Sequence, residues 1–296
     1  MPLYLGLDCG GSTTRALVCD EEGNQVFEGL SGSANVASTD AELVAEHMKE
    51  ALAGSPDVDS ACGCFAGLLS QASKERALQN LKQFVNAKRY EVRPDYHAGW
   101  EAAPEGTDVL VIAGTGVVIC SEVDGNLVKS SAGGYLLCDA GSAAAIGRAA
   151  LRLTMITAKK MPASEAFWRS VEEQFGHREA SEVIAVLYAV PLPGSALSGL
   201  AGTIAADAAE GWEYALSSIN ESLGGLAANL DEHCDEHLAD RTKVVVALAG
   251  GVWKTDRLLQ QIFRDKLASR NREYELGVVT NEPVTGAVKI AMKMTQ

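Results

Sequence analysis

The sequence predicts a two-domain α/β protein, and three observations lead to this prediction. The chain has 296 residues, which exceeds the usual size of a single hydrophobic core. Strand-like and helix-like patterns alternate along it. Each half opens with two strands joined by a turn of small residues, at 8–14 and again at 113–116. This repeated opening indicates two similar halves, and a cleft between them is the expected ligand site.

The first half has the predicted order β-β-β-α-β-α. Short apolar runs predict four strands, at 3–8, 15–20, 24–30 and 60–65. Capping-box spacing at Thr39 predicts a helix that ends near Leu52. Apolar residues at helical spacing between Ala77 and Val85 predict a second helix.

The second half repeats the strand-turn-strand opening. Its predicted strands are 108–112, 117–123 and 243–249. Helical patterns dominate from Gly141 to Asp240, and Thr255 is expected to cap a later amphipathic helix. We place the boundary between the halves near 104–106, where Pro and Gly interrupt the pattern.

The charge balance argues against two classes of partner. Lys and Arg total 25 and Asp and Glu total 39, so the formal net charge is 25 − 39 = −14. Such a chain would be repelled by nucleic acid and by anionic membranes. A nucleotide would bind only where the site supplies a metal ion and backbone N–H donors.

The cysteines and the N-terminus favour a cytoplasmic protein. The seven cysteines are an odd number without framework spacing, which is typical of reduced thiols. Residues 1–4 lack the basic and apolar regions of a signal peptide, and no apolar run is long enough to span a bilayer. Cys62 and Cys64 are interpreted as buried core cysteines, because no second Cys or His pair completes a metal site.

The two small-residue turns have the composition of phosphate-binding turns. Backbone N–H groups can approach a phosphate closely where the residues are small. Neither turn is a Walker loop, because no Gly-Lys-Ser/Thr follows. Neither is a dinucleotide fingerprint, because a strand follows in place of a helix.

These motifs resemble those of the actin, hexokinase and Hsp70 superfamily. Residues 8–14 (DCGGSTT) resemble its first phosphate hairpin, and more narrowly that of the BadF/BadG/BcrA/BcrD ATPases and the glucosamine and N-acetylglucosamine kinases. Five further segments resemble that family in the same order: 31–35, 112–116, 133–142, 248–252 and 283–287. The resemblance implies an actin-like ATPase with duplicated ribonuclease H-like halves. Residues 1–105 would form the first domain, completed by a C-terminal helix at 284–296, and residues 106–283 the second.

The resemblance also implies the site residues. The nucleotide would be bound by Gly10, Gly11, Ser12, Thr13, Thr14, Gly114, Thr115, Gly116, Gly250 and Gly251. Asp8 would hold Mg²⁺ or a water on it, since hard cations prefer oxygen ligands. The sugar would be bound by Asn35, Asp95, Gly134, Tyr135 and Asp139.

Asp95 matches the catalytic Asp of the family, and its implied role is general base toward the sugar hydroxyl. Pro94 leaves a second interpretation open, a carboxylate at the start of a helix. His97 is close in sequence and is an alternative base.

The chain also departs from the family pattern. Cys9 replaces a usual Gly, and its β-carbon is expected to shift the hairpin slightly. Tyr135 and Leu136 replace a Trp-Gly pair, and Ala140 replaces a Glu. These changes leave the identity of the sugar open.

The resemblance therefore implies an enzyme that uses ATP and Mg²⁺ to phosphorylate an amino sugar, glucosamine or N-acetylglucosamine, at the 6-hydroxyl. One alternative is a dehydratase activator, which couples ATP hydrolysis to electron transfer through an interfacial iron–sulfur cluster, with Cys120 and Cys138 as candidate ligands. Another is a non-catalytic sugar or nucleotide sensor, against which the presence of Asp8 and Asp95 argues. The oligomeric state is open, with a homodimer as one candidate.

Overall fold

The computed structural model describes residues 1–131, 133–134, 139–189 and 194–295. The chain forms two compact units. Unit 1 comprises Met1–Glu105 together with Val279–Gln296, and unit 2 comprises Gly106–Val278.

Unit 1 begins with five strands and three helices. The strands are β1 (Leu3–Cys9), β2 (Thr14–Asp20), β3 (Gln25–Ser31), β4 (Val58–Phe65) and β5 (Ala87–Pro94). The helices are α1 (Ala41–Ala51), α2 (Gln71–Phe84) and α3 (Asp95–Ala102). The sheet order is β3-β2-β1-β4-β5, with β1, β4 and β5 parallel.

Unit 2 contains a second five-stranded sheet and the larger helical layer. Its strands are β6 (Val109–Ala113), β7 (Val117–Val123), β8 (Asn126–Ser130), β9 (Lys243–Ala249) and β10 (Glu273–Val278). Its helices are α4 (Ala143–Leu151), α5 (Glu165–Phe175), α6 (Ala180–Tyr188), α7 (Gly194–Ser198), α8 (Ala201–Ala209), α9 (Glu213–His237), α10 (Gly251–Thr255) and α11 (Arg257–Ala268). A π-helical turn, Arg152–Ile156, follows α4. Among the described residues, no helix is both long enough and apolar enough to cross a membrane.

The two sheets have the same topology. The second sheet has the order β10-β9-β6-β7-β8, so it too has an antiparallel hairpin pair followed by parallel strands. Thus β1 to β5 correspond in sequence order to β6 to β10. This equivalence confirms the predicted α/β fold with duplicated halves.

The final helix, α12 (Pro283–Lys293), packs on the sheet of unit 1. A Cβ added to Gly6 would lie 2.4 Å from the backbone nitrogen of Val288, and one added to Gly286 would lie 2.0 Å from the carbonyl oxygen of Ala98. Because neither position has room for a side chain, α12 lies backbone to backbone against β1 and α3.

Three edge strands, β5, β8 and β10, were not among the predicted strands, and α3 was anticipated only through the helix-start interpretation of Asp95. β5 exposes charged side chains along an edge and has no regular alternation. β10 alternates exposed and half-buried residues but is short and rich in Glu. α3 has only eight residues and a mixed composition. In each case burial on one side alone, not a strong apolar pattern, supports the element.

Two predicted helix caps were wrong by one residue. Asp40 caps α1, because its carboxylate accepts from the N–H of Glu42 at 2.9 Å. The hydroxyl of Thr39 is instead hydrogen-bonded to that of Ser33, at 2.9 Å. Asp256 likewise caps α11 in place of Thr255.

Candidate active site

The first small-residue turn joins β1 to β2 and leaves its backbone exposed. The N–H of Gly10 donates to the carbonyl of Thr13 at 2.9 Å, which closes the turn. Gly11, Ser12 and Thr13 are exposed. A Cβ on Gly11 would have no heavy atom closer than 3.9 Å. The turn therefore leaves space for a ligand next to its backbone, as a phosphate-binding turn requires.

Thr14, the last of the predicted phosphate contacts in this turn, is fully buried at the start of β2. Its hydroxyl donates to the carbonyl of Gly32 at 2.7 Å. This bond ties the turn to the loop 31–35, which the sequence analysis assigned to the sugar. The hydroxyl of Ser33 makes a second tie, to the carbonyl of Gly10 at 3.3 Å.

Asn35 has a defined orientation in this loop. Its side-chain carbonyl accepts from the N–H groups of Ala37 and Ser38, at 2.9 and 3.3 Å. A Cβ on Gly67 would lie 2.3 Å from the same carbonyl, so Gly67 makes room for it. The amide nitrogen faces Gly11. Asn35 can therefore offer only its NH₂ donors to a ligand.

Asp8 and Asp95 lie at the same edge of the unit 1 sheet. Cys9, Phe65 and Pro94 are level in the parallel ladder, so Asp8 comes one residue before that level and Asp95 one residue after it. Burial raises the pKa of Asp8 to about 7, and repulsion from the Asp95 carboxylate adds to the effect. The two carboxylates are thus electrostatically coupled.

An ion pair lies beside Asp8. Arg15 is directly opposite Asp8 in the β1–β2 ladder, and its guanidinium donates to the carboxylate of Glu282, which precedes α12. Arg15 lowers the pKa of Asp8 and Glu282 raises it, but burial and Asp95 outweigh Arg15. Sequence reasoning did not single out Arg15 or Glu282. The spacing of Arg15 from the turn could have indicated its place opposite Asp8, whereas nothing local could have indicated Glu282.

Asp95 is the first residue of α3, as the helix-start interpretation expected. Its carboxylate accepts from the N–H of Tyr96 at 2.9 Å. A carboxylate in the first turn of a helix interacts favourably with the helix dipole. His97 is half-buried, and its ring packs against that of Tyr96 at a tilt of 33°, with centroids 4.7 Å apart.

The second small-residue turn joins β6 to β7 in unit 2. The N–H of Gly114 donates to the carbonyl of Gly116 at 2.9 Å, and the carbonyl of Gly114 accepts from Ala143 at 2.8 Å. A Cβ on Gly114 would meet nothing within 4 Å. Gly114 therefore has free space beside it, Thr115 is half-buried, and Gly116 is closely packed.

Gly250 and Gly251 follow β9, which pairs with β6. Gly250 has a φ of 100°. A Cβ there would lie 2.3 Å from the carbonyl oxygen of Ala113, so this glycine is required by the fold itself. Gly251 is exposed, with open space around it. The turns 114–116 and 250–251 thus lie at the ends of adjacent parallel strands, where ligands bind in open α/β sheets.

Asp139 is 2% exposed and lies against the second turn. A Cβ on Gly116 would be 2.7 Å from one of its carboxyl oxygens. Among the described residues, neither carboxyl oxygen has a partner in strict hydrogen-bond geometry. Burial raises the pKa of Asp139 to about 6, although the N–H of Val117 and the cation of Arg148 act in the opposite direction. A buried carboxyl group in this state is suited to bind a ligand.

The remaining predicted positions are less informative. Gly134 is exposed with a φ of 74°. Tyr135, Leu136 and Cys138 lie outside the described residues. Cys9 continues β1 in regular register and its side chain is buried in the core, so its β-carbon does not disturb the ladder. Cys62 and Cys64 are also buried, with their sulfurs 3.9 Å apart.

Several solved structures have a similar fold. A protein from Chromobacterium violaceum assigned as an N-acetylglucosamine kinase is 18% identical, with a TM-score of 0.74 over 98% of this chain and 99% of the other. A second protein, from Porphyromonas gingivalis, has the same assignment. It is 18% identical to this chain, with a TM-score of 0.74 over 100% of both chains. A ROK family glucokinase from Streptomyces griseus, solved with glucose and AMPPNP, is 18% identical with a TM-score of 0.63, over 98% and 99% of the chains. The fold is therefore the two-unit α/β fold of the actin-like ATPases and sugar kinases.

The family follows from the sequence itself. The profile of the BadF/BadG/BcrA/BcrD ATPase family matches residues 5–291, nearly the whole chain. This protein belongs to that family. A comparison with curated proteins gave no significant match.

Replacing Asp139 should stabilise the protein at neutral pH. Because the folded-state pKa is about 6, against an ordinary 3.8, the folded chain binds more protons than the unfolded chain between these values. Stability from this group is thus lost as pH rises through about 6. Asp139→Asn cannot ionise, so it avoids this loss of folding stability, which amounts to about 2–3 kcal/mol at pH 7.5.

Thermal unfolding at pH 4.5 and 7.5 measures this effect. The variant should gain several degrees over the parent at pH 7.5 and much less at pH 4.5. Asp124→Asn, which removes the same charge from an exposed turn, is the matched control and should shift neither midpoint. A variant that is less stable than the parent at pH 7.5 would show that the interactions of Asp139 with Val117 and Arg148 outweigh the cost of its burial.

Proposed function

We propose that this protein is an ATP-dependent sugar kinase that transfers the γ-phosphoryl group to an amino sugar, glucosamine or N-acetylglucosamine, at the 6-hydroxyl. The observation that carries the proposal is the coupled pair Asp8 and Asp95 at the carboxyl edge of the unit 1 sheet. Phosphoryl transfer to an alcohol needs one carboxylate for the metal ion and a separate one for the proton. Asp8, in β1, and Asp95, at the start of α3, are two such carboxylates on different elements.

The nucleotide phosphates are bound by backbone N–H groups of the two small-residue turns. Free space beside Gly11 and Gly114 supports this assignment, as does the exposure of Ser12 and Thr13. Adenosine lies at Gly251, where the backbone is open, and Gly250 shapes the turn that presents it. Thr115 is half-exposed and can add its hydroxyl to the phosphate contacts.

Asp8 fits a magnesium ion. Its carboxylate is an acceptor in a region where burial and Asp95 make an uncompensated negative charge unfavourable. A cation there would relieve that cost, and oxygen is the ligand type that Mg²⁺ prefers. When bound, Mg²⁺ would neutralise part of the negative charge of the phosphates. Arg15, held by Glu282, places a second positive charge beside Asp8.

Asp95 is the general base. It stands at the N-terminus of α3, where a carboxylate interacts favourably with the helix dipole. The ionised carboxylate accepts the proton of the sugar hydroxyl as the hydroxyl oxygen attacks the γ-phosphorus, and the bond from that phosphorus to the bridging oxygen of ADP breaks. The proton therefore ends on Asp95 and the phosphoryl group on the sugar.

Sugar contacts come from groups of opposite hydrogen-bonding character. Asn35 offers NH₂ donors, because its carbonyl is occupied by Ala37 and Ser38. Asp139 offers acceptors, because its oxygens have no partner in strict geometry among the described residues. Gly134 and Tyr135 complete the proposed contacts, Tyr135 from the sequence resemblance alone. Sugar hydroxyls can satisfy both kinds of group.

The cysteines give no support to the dehydratase-activator alternative. An interfacial cluster needs thiolates at the protein surface. Cys120 is fully buried in β7, and Cys138 lies outside the described residues. A sensor without catalysis would not need the Asp8–Asp95 pair. The kinase proposal is therefore preferred.

A substrate screen tests the proposal directly. ATP consumption and ADP release are measured with glucosamine, N-acetylglucosamine, N-acetylmannosamine, N-acetylmuramic acid and glucose. We expect turnover with glucosamine or N-acetylglucosamine to exceed that with the other sugars. If none of the five sugars stimulates ADP release, the proposed function is wrong, and a brown, oxygen-sensitive protein would indicate the activator.

Asp95→Asn should reduce turnover by roughly 10²–10⁴-fold, because it keeps the shape of the side chain and removes the proton acceptor. Nucleotide affinity, measured by calorimetry, should change little. Asp57→Asn, at an exposed position of the same unit, controls for the loss of one charge. Near-parent turnover in Asp95→Asn would place the base elsewhere, with His97 or Asp139 as the next candidates.

Gly114→Val should block ATP binding while the protein stays folded. The backbone at Gly114 does not need a positive φ, and a Cβ there meets nothing within 4 Å. The added side chain therefore occupies only the space assigned to phosphate. Gly277→Val, on the edge strand β10 with equally open surroundings, is the matched control. Parent-like ATP affinity in Gly114→Val would refute the placement of the phosphates.

A further inference from the structure

We propose that His47, a residue of α1 outside the site described above, is a positioning residue that holds the sugar-binding loop 31–35 and thereby aims the amide of Asn35. The proposal rests on the proposed function for its meaning in catalysis. Its structural part, the support of the loop, can be tested separately.

The first observation is a short hydrogen bond from His47 to the loop. Nδ1 of His47 lies 2.6 Å from the carbonyl oxygen of Ser33. A carbonyl can only accept, so Nδ1 must carry the proton and donate it. The tautomer of His47 is thereby determined by its partner.

The second observation is the contact of the imidazole ring with Gly32. A Cβ on Gly32 would lie between 2.5 and 2.9 Å from three ring atoms. The ring thus fills the space that a side chain at position 32 would occupy. Because of this contact, the loop backbone cannot move toward α1 without displacing His47.

The third observation is that α1 holds the loop at a second point. The hydroxyl of Ser31 donates to the carboxylate of Glu50 at 2.6 Å. His47 and Glu50 are three residues apart, so they lie on one face of the helix. The Ser31–Glu50 bond is exposed and contributes little alone, whereas His47 is half-buried against the loop.

These contacts lead from His47 to Asn35. The hydroxyl of Ser33 lies 3.4 Å from the N–H of Asn35, which donates to it, and also reaches the carbonyl of Gly10. Loss of the His47 bond would free the peptide of Ser33 and weaken both contacts. The backbone that carries Asn35 would then move more freely and the amide with it, although the side-chain bonds to Ala37 and Ser38 remain, while the turn at 10–13 keeps its own closing bond.

The variant His47→Phe keeps a ring against Gly32 and removes the donor. We expect the KM for the sugar to rise about tenfold, the usual worth of one well-made hydrogen bond to a positioned group. The KM for ATP and kcat should stay within about twofold of the parent, because the turns and Asp95 are untouched. His47→Asn, whose amide nitrogen can replace Nδ1, should restore most of the sugar affinity. Glu46→Gln, an exposed neighbour on α1, is the matched control.

Amide hydrogen exchange supplies a readout that does not depend on activity. In His47→Phe, exchange should accelerate at the amides of residues 35–39 and stay unchanged in β1 and β4. An unchanged sugar KM in His47→Phe, equal losses in the Phe and Asn variants, or exchange that accelerates throughout unit 1 would each overturn the proposal. If the parent phosphorylates no sugar, the proposed function fails, and the exchange at residues 35–39 then decides the positioning role alone.

Discussion

The close contact between α12 and β1 is the constraint on which the unit 1 site depends. Gly6 and Gly286 let the helix backbone lie directly on the strand and on α3, where no side chain would fit. This contact brings the N-terminal end of α12, with Glu282, to Arg15 beside Asp8. It also packs α3, whose first residue is Asp95, on the same layer. The C-terminal segment of the chain therefore helps to build a site whose turn and carboxylates lie in the first hundred residues.

Local sequence could predict the parts of this site that are contiguous in the chain. Turns of Gly and hydroxyl residues between apolar strands identified 8–14 and 113–116, and each follows a strand that the structure contains. The same patterns could not predict β5 or β10, because an edge strand is buried on one side only and these two expose charges. Nor could they predict the Arg15–Glu282 pair, whose members are 267 residues apart. Burial of Asp139 was equally beyond reach, since a loop Asp is ordinarily exposed.

The three glycine turns, 10–13, 114–116 and 250–251, show that glycine occurs in this protein for two different reasons. Gly250 and Gly116 have no room for a side chain, because Ala113 and Asp139 occupy the space. Gly114, Gly251 and Gly11 have room for one, so packing within their own unit does not explain the choice of glycine there. The sequence alone does not distinguish between these two groups of glycines. The structure separates glycines that the fold requires from glycines that leave a surface open, and the open ones are those with space for a ligand.

The electrostatics of the protein suit a ligand that arrives with its own cation. A net charge of −14 opposes a nucleotide, but the Debye length is only about 8 Å at physiological ionic strength, so distant charges act weakly. What matters is local: Asp8 and Asp95 repel each other, and burial makes the ionised forms of Asp8 and Asp139 unfavourable. Fold stability alone would favour neutral side chains at these positions. A triphosphate accompanied by Mg²⁺ would relieve the strain at Asp8, and a polar sugar would satisfy Asp139. The groups whose burial costs the folded chain stability are therefore the ones that the proposed reaction uses.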